Sequence, residues 1–242
     1  MITDEERKRY ARQILMIGEE GQERLKAACV LVAGVGGLGT VISLYLAAAG
    51  IGHLRIVDCD AVEESNLNRQ ILHWGGDVGR RKTDSAGGKL ASLNPLIRIE
   101  ALSCRIDEES VRELTRGCGL IVDGMDNFPT RYLLNQAAVD LGIPFIHGAV
   151  RGLFGQTTTV IPGKTPCLRC LFPTSPPPEL FPIIGATCGV IGSIEAAEAI
   201  KLLTGQGRPL AGRLLLWDGA AGGTDSLVIE RDPCCPVCGR LG

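Results

Sequence analysis

The chain has 242 residues, 45% of them hydrophobic and 32 of them glycine, enough for one large α/β domain with a sizeable core and richer in tight βα turns than a helical bundle would be. A formal net charge of −2 gives no reason to expect nucleic acid or an anionic membrane as partner. The N-terminal MITDEERKRYARQ is charged and lacks an apolar signal core, and no apolar run approaches the ~18 residues of a membrane span, so a cytoplasmic protein is expected.

Residues 4–27 read as a polar helix carrying Arg9, Arg12 and Lys26. CVLVAGVGGLGT then gives an apolar strand ending in glycines, VISLYLAAAG a helix closed by Gly50, and HLRIVDCD a second strand, which together make a βαβ unit. SNLNRQILHWGGDVGRRK is irregular, and TDSAGGKLASL is a helix stopped at Asn94-Pro95. IRIEALSCRI, a short helix in EESVRELTRG, and GLIVDGMDN supply a third strand, its crossover and a fourth strand. PTRYLLNQAAVDLG starts a helix on Pro129. IPFIHGAVRG and GQTTTVIPG read as a strand pair turning near Gly152. PTSPPPELFP is a Pro-rich loop, VIGSIEAAEAIKLLTG a helix with Cys188 at its start, and GRLLLWDGAAG and DSLVIERD a last strand pair. The expectation is a single Rossmann-like, doubly wound mixed sheet. A parallel nucleotide-binding half is followed by C-terminal antiparallel strands. No repeat or long linker divides the chain.

Gly34, Gly36, Gly37 and Gly39 satisfy G-x-G-x-x-G between a strand and a helix, where bare backbone N–H groups receive a nucleotide phosphate. Asp58, about 20 residues on, suits a ribose hydroxyl. The motif alone does not separate NAD from ATP. VDCDAVEESNLNRQ adds Asp60, Asn66, Arg69 and Gln70 at the same mouth, and Lys82 follows in GRRKTD. An Arg and a Lys both aimed at a phosphate chain suit a triphosphate with a leaving pyrophosphate, because charge develops on its oxygens. DGMDN offers Asp123 and Asp126 at the next strand end, where a carboxylate can hold Mg²⁺ against phosphates.

Ten cysteines occur, at 29, 59, 104, 118, 167, 170, 188, 234, 235 and 238; in a cytosolic chain they are not expected to form a disulfide framework. Cys167, Cys170, Cys235 and Cys238 make two C-x-x-C knuckles, the spacing of a tetrahedral structural Zn²⁺ site. Cys234 could replace Cys235, although only Cys235 keeps the two-residue spacing to Cys238. Cys29, Cys59, Cys104 and Cys118 read as small core residues, and His53, His73 and His147 have no ligand-like spacing.

The segments RYARQI, GQERL, GVGGLG, VDCDAVEESNLNRQ, GRRK, DGMDNFPTRYLLNQA, HGAVRGLFGQ, PCLRCLFP, GVIGSIEAAEAIKLL and CPVCG span nearly the whole chain. On them the chain resembles the ThiF/MoeB/HesA family of bacterial E1-like adenylyltransferases acting on ubiquitin-like sulfur carriers. The resemblance implies that the C-terminal glycine carboxylate of a small β-grasp carrier ending in Gly-Gly attacks the α-phosphate of ATP, giving an acyl adenylate and pyrophosphate. It implies that Gly36 and its neighbours lie on the nucleotide and that Asp58 holds the ribose. Asn66, Arg69 and Lys82 would contact the phosphates, and Asp126 would be the essential acid near Mg²⁺. It also implies that Arg12 reaches the ATP site of the other subunit in a homodimer, and that zinc sits at the four knuckle cysteines. The chain would then divide into a helical arm (1–27), a nucleotide-binding half (28–150) and a carrier-binding, zinc-bearing half (151–242). Because the chain ends at Gly242 with no rhodanese-like extension, a separate sulfur donor is expected.

Relatives carry a reactive cysteine in the loop before GVIGS. Here that window, residues 171–187, has none, and Cys188 abuts Gly189 outside the matching position. A packed thiol is the preferred reading of Cys188; a displaced reactive thiol and a metal ligand are the alternatives. Three rival functions remain: adenylation of another carboxylate, for example on a modified tRNA, an NAD-dependent oxidoreductase, and a non-catalytic binder of a β-grasp partner.

Overall fold

The computed structural model describes residues 1–177 and 181–240. Part of the Pro-rich loop expected at PTSPPPELFP therefore lies outside the described residues. Eight strands form one sheet: β1 (Cys29–Ala33), β2 (His53–Val57), β3 (Arg98–Leu102), β4 (Leu120–Asp123), β5 (Phe145–Arg151), β6 (Phe154–Val160), β7 (Arg213–Asp218) and β8 (Gly223–Val228). Their order is β3-β2-β1-β4-β5-β6-β7-β8. The first five pair in parallel, and β5 to β8 pair antiparallel, as the doubly wound mixed sheet requires. The central parallel strands β1 and β4 are near-continuous apolar runs because helices cover both their faces; Val30 to Ala33 and Leu120 to Asp123 are fully buried. The outermost β8 is mostly exposed, with Val228 at 79%.

The helices are α1 (Asp4–Arg9), α2 (Ala11–Ala27), α3 (Gly37–Ala49), α4 (Lys82–Leu93), α5 (Val111–Thr115), α6 (Phe128–Leu141), α7 (Leu168–Leu171) and α8 (Gly185–Thr204). Leu25, Ile42, Leu46, Leu90, Ile191 and Ala199 build one core against the sheet; Leu114, Leu134, Ala138, Phe145 and Leu168 build the other. The single helix expected over 4–27 is instead two helices, and the second bends at Gly18, whose φ of 71° lies in the left-handed region that glycine alone enters freely. This arm is tied down by polar contacts. Tyr10 is 3% exposed and its hydroxyl accepts from Asn94 Nδ2 at 2.8 Å. Gln22 Nε2 donates to Ala49 O at 3.1 Å, and Arg24 Nη1 to Thr204 O at 2.7 Å.

Helix α8 begins at Gly185, earlier than the apolar periodicity from Val190 suggests. Its first turns lie flush on α3. A Cβ at Gly37 would meet Cys188 Sγ at 2.7 Å, and one at Gly192 would meet Val41 Cβ at 2.9 Å. Side chains larger than hydrogen at these contacts would force the two helices apart. No helix among the described residues is long and apolar enough to cross a membrane.

Candidate nucleotide site and cysteine cluster

In an open parallel sheet, ligands bind at the carboxyl ends of the strands, and there the chain gathers its candidate residues. The turn after β1 is closed by backbone contact. Gly34 has φ of 89°, and a Cβ at Gly39 would stand 1.8 Å from Gly34 O, so the loop doubles back on itself without side chains. Gly36 caps α3 with no side-chain hydrogen bond to the first turn. The leading amides of α3 thus remain for an anion. From beneath, His73 holds the loop: its Nε2 lies 3.1 Å from Val35 O and its Nδ1 2.9 Å from Ser85 Oγ. Burial lowers the pKa of His73, so it is a neutral donor to the carbonyl. Sequence reading gave His73 no role, since nothing in its spacing signals a partner in the loop after β1.

Asp58 is locked as an acceptor, taking Val35 N at 2.8 Å and Asp60 N at 2.9 Å. Lys82 is nearly buried, with Nζ 2.8 Å from Asp60 Oδ2 and 3.9 Å from Asp58 Oδ1. The hydrogen bond from Lys82 is the main reason the Asp60 carboxyl sits below its ordinary pKa. Arg69 lies over the first turn of α3, its Cγ 3.8 Å from a Cβ built on Gly37. Its Nη1 donates to Ser65 O and Asn68 Oδ1 at 2.8 and 3.1 Å. Asn66 is buried and accepts from Glu63 N at 3.2 Å. Gln70, 4% exposed, places Nε2 near Gly36 and leaves Oε1 with no hydrogen-bond partner among the described residues. Gly34, Gly36, Gly37, Gly39, Asp58, Asn66, Arg69, Gln70 and Lys82 are therefore in one neighbourhood.

Asp126 stands exposed just past Gly124, whose backbone abuts Gly34 and Gly39. Among the described residues its only hydrogen bond comes from Asn127 Nδ2 at 3.3 Å. Asp123, read from sequence as a second carboxylate free to hold a cation, is not free. It is fully buried and pairs with His147 Nδ1 at 2.7 Å and Arg131 Nε at 3.1 Å; Met125 N also donates to it at 2.9 Å. This cluster shapes the turn that presents Asp126. Arg12 is not brought to the glycine loop of its own chain; it is exposed on α2 and makes no ion pair among the described residues.

Glu195, on α8, is fully buried over Gly148, and neither carboxyl oxygen has a hydrogen-bond partner among the described residues. Burial first, and the nearby Asp123 charge second, push its pKa well above 4.5. The unfolded carboxyl ionises above that value while the folded one keeps its proton, so its contribution to stability is complete at lower pH and declines as pH rises. Glu195→Gln is accordingly expected to raise the thermal midpoint more at pH 8 than at pH 5; an equal shift at both would contradict a protonated Glu195.

On the opposite face, Cys167 caps α7, Cys170 lies within it, and Cys235 and Cys238 come from the C-terminal segment. Their four sulfurs lie within 4.8 Å of one another, with Cys167–Cys235 at 3.7 Å and Cys170–Cys238 at 3.4 Å. A tetrahedron with metal–sulfur bonds near 2.3 Å has sulfur–sulfur edges of about 3.8 Å, so the set fits one metal ion. Cys234 is exposed and outside this group, and its N–H donates to Asp232 Oδ1 at 2.8 Å. Cys188 is fully buried in the first turns of α8, and burial pushes its thiol up to about 11 in spite of Arg69 nearby. It is a packed residue and lies outside the cysteine cluster.

A doubly wound α/β protein with an anion-accepting glycine loop at the strand ends and a four-cysteine knuckle on one flank is the class these features define. The ThiF family model matches residues 10–237, and the chain belongs to that family. It is 47% identical to the sulfur carrier protein adenylyltransferase of Thermus thermophilus, over 98% of this chain and 92% of that protein. It is 45% identical to the SAMP-activating enzyme E1 of Haloferax volcanii, over 97% and 89%. Among solved structures, E. coli MccB with AMPCPP and MccA superposes with a TM-score of 0.88 at 25% identity, covering 99% of this chain and 75% of that one. MccB with ATP gives 0.87, also at 25% identity, over 96% and 75%.

Proposed function

We propose that the chain is an ATP-dependent adenylyltransferase that activates the C-terminal glycine carboxylate of a small ubiquitin-like sulfur-carrier protein. The observation that carries this reading is the convergence of Arg69, Gln70 and the Gly34–Gly39 loop with a buried Lys82 held between Asp58 and Asp60. A hydride-transfer enzyme breaks no phosphate bond and does not need two cations at a polyphosphate; in-line attack on one does, since the work is alignment and neutralisation of the charge that develops. The carrier carboxylate attacks the α-phosphorus, the bond to the bridging oxygen breaks, and pyrophosphate leaves. The loop amides hold the phosphates, Asp58 the ribose, and Asn66, Arg69 and Lys82 the phosphate oxygens. Asp126 would hold Mg²⁺, which when bound neutralises the phosphate chain. The four cysteines suit structural zinc, which ties α7 to the C-terminal segment.

Three finer points belong to the same reading. Arg12 serves the site of a second copy in a homodimer, consistent with its exposed place on α2. The open apolar groove between α3 and α8, lined by Val41, Tyr45, Ile71, Val190 and Ile194, offers such a copy a surface. Residues 28–150 form the nucleotide half, and residues 151–242 receive the carrier; the sulfur comes from a separate donor.

Carrier-dependent ATP–pyrophosphate exchange, run with a panel of β-grasp proteins ending in Gly-Gly, tests the proposal, and no exchange with any of them sinks it. In the same assay Cys188→Ala is expected to retain exchange while losing about 1 kcal/mol of stability to the small cavity left beside Gly37. If that variant adenylates normally yet fails to support carrier sulfuration, Cys188 is a displaced nucleophile and not a packed residue.

A further inference from the structure

At the amino ends of the parallel strands, about 16 Å along β1 from the glycine loop, lies a second group of reactive side chains that adenylation does not use. Cys29 opens β1 and Cys118 precedes β4, and their sulfurs are 3.4 Å apart. Cys29 Sγ is also 3.4 Å from His53 Nδ1, and His53 Nε2 is 2.7 Å from Glu100 Oε2. Glu100 takes Arg55 Nε at 2.9 Å, and Arg55 Nη1 stands 3.4 Å from Cys118 Sγ. A carboxylate that accepts Nε2–H leaves the Nδ1 lone pair facing the thiol, the tautomer a base needs. A nucleophile, a base and a group orienting that base thus stand in line, with a guanidinium beside the second sulfur. Cys29, His53 and Glu100 are partly exposed and Cys118 is buried, so small molecules reach Cys29 first.

We propose that Cys29 is an activated thiol and that Cys29 and Cys118 form an oxidisable pair that takes hydroperoxides as its reactant. His53 Nδ1 accepts the Cys29 thiol proton, and the thiolate attacks the peroxide. A sulfur–oxygen bond forms, the oxygen–oxygen bond breaks, and the leaving alkoxide takes the proton back from His53. The Cys118 sulfur then attacks the sulfenic sulfur of Cys29, and hydroxide departs with the Cys118 proton as water. Two thiols and one hydroperoxide give one disulfide, one alcohol and one water; sulfur loses two electrons and the peroxide gains them. The roles divide in this direction because burial and the adjacent Cys29 push the Cys118 thiol up to about 12, leaving Cys29 to attack and Cys118 to resolve.

The test is timed alkylation and peroxide treatment of the full, metal-loaded protein at neutral pH, read by peptide mapping. Exposed Cys234 and free glutathione are the reference thiols. Cys29 is expected to alkylate about tenfold faster than either, because His53 Nδ1 stands 3.4 Å from its sulfur to take the thiol proton, and hydrogen peroxide should yield a Cys29–Cys118 linked peptide. Cys118→Ser should leave a sulfenic acid at Cys29 that dimedone traps, and His53→Gln should return Cys29 to the reference rate. Alkylation of Cys29 no faster than the references, or oxidation without the Cys29–Cys118 peptide, overturns the proposal; an unchanged rate in His53→Gln overturns the role of the base.

Discussion

Asp126→Ala is expected to lower carrier-dependent ATP–pyrophosphate exchange by about 10²–10³-fold, the range seen when one electrostatic contact to a developing charge is removed. The thermal midpoint should hardly move. The side chain is exposed and accepts a hydrogen bond from Asn127, whose own capping of α6 through Thr130 N at 3.0 Å is independent of it. Asp126→Asn should be nearly as inactive, because it keeps size and loses charge. Wild-type activity in either variant would remove Asp126 from the mechanism. Lys82→Ala is a poorer probe of the same chemistry. Lys82 is nearly buried between Asp58 and Asp60, so its loss leaves two neighbouring carboxylates unpaired and confounds catalysis with stability.

The second large effect belongs to the cysteine cluster. Cys167→Ser is expected to take bound metal from one ion per chain to none, and to cost about 4 kcal/mol or more, the stabilisation conferred by a ligand present at a thousandfold excess over its Kd. Cys167 is 1% exposed and joins the core made by Leu134, Phe145 and Leu168; the loss should therefore spread into α6 and α7. Cys234→Ser, exposed and outside the four-cysteine group, should keep the metal. Elemental analysis with thermal unfolding, before and after chelation, measures both; a metal-free wild type rejects the site.

The parallel half of the sheet was readable because strands covered on both faces must be largely apolar and must end in turns, and CVLVA and LIV do both. The gathering of Gly34, Gly36, Gly37, Gly39, Asp58, Asn66, Arg69 and Lys82 in one neighbourhood was readable for a related reason: the first, second and fourth strands deliver their following loops to one edge. What stayed hidden depends on long-range burial. Asp123 and Asp126 look alike in DGMDN, yet one is clamped by Arg131 and His147 and the other faces water. Glu195 and Glu198 look like a solvated stripe of an amphipathic helix, and both are buried, because α8 is covered on that side by β5 and β6. The early start of α8 escaped periodicity since Gly185, Ala186 and Thr187 carry no apolar signal. The bend at Gly18 escaped it because a glycine inside a helical pattern is ordinarily tolerated.

The stretch between the cysteine cluster and α8 has both of its ends anchored. At one end Cys167 and Cys170 sit against the sulfurs of the C-terminal segment. At the other, Gly152 N donates to Pro182 O at 2.7 Å, Thr187 Oγ1 donates to Gly152 O at 2.9 Å, and Gly185 packs on the Asn68–Arg69 backbone. Closing a loop between fixed points costs entropy that grows only slowly with its length, about 0.6 kcal/mol per doubling. Evolution is thereby free to lengthen, shorten or rewrite this stretch without disturbing the adenylation chemistry on either side. A longer or shorter stretch therefore costs little, while the contacts at its two ends keep the cysteine cluster and the first turn of α8 in place.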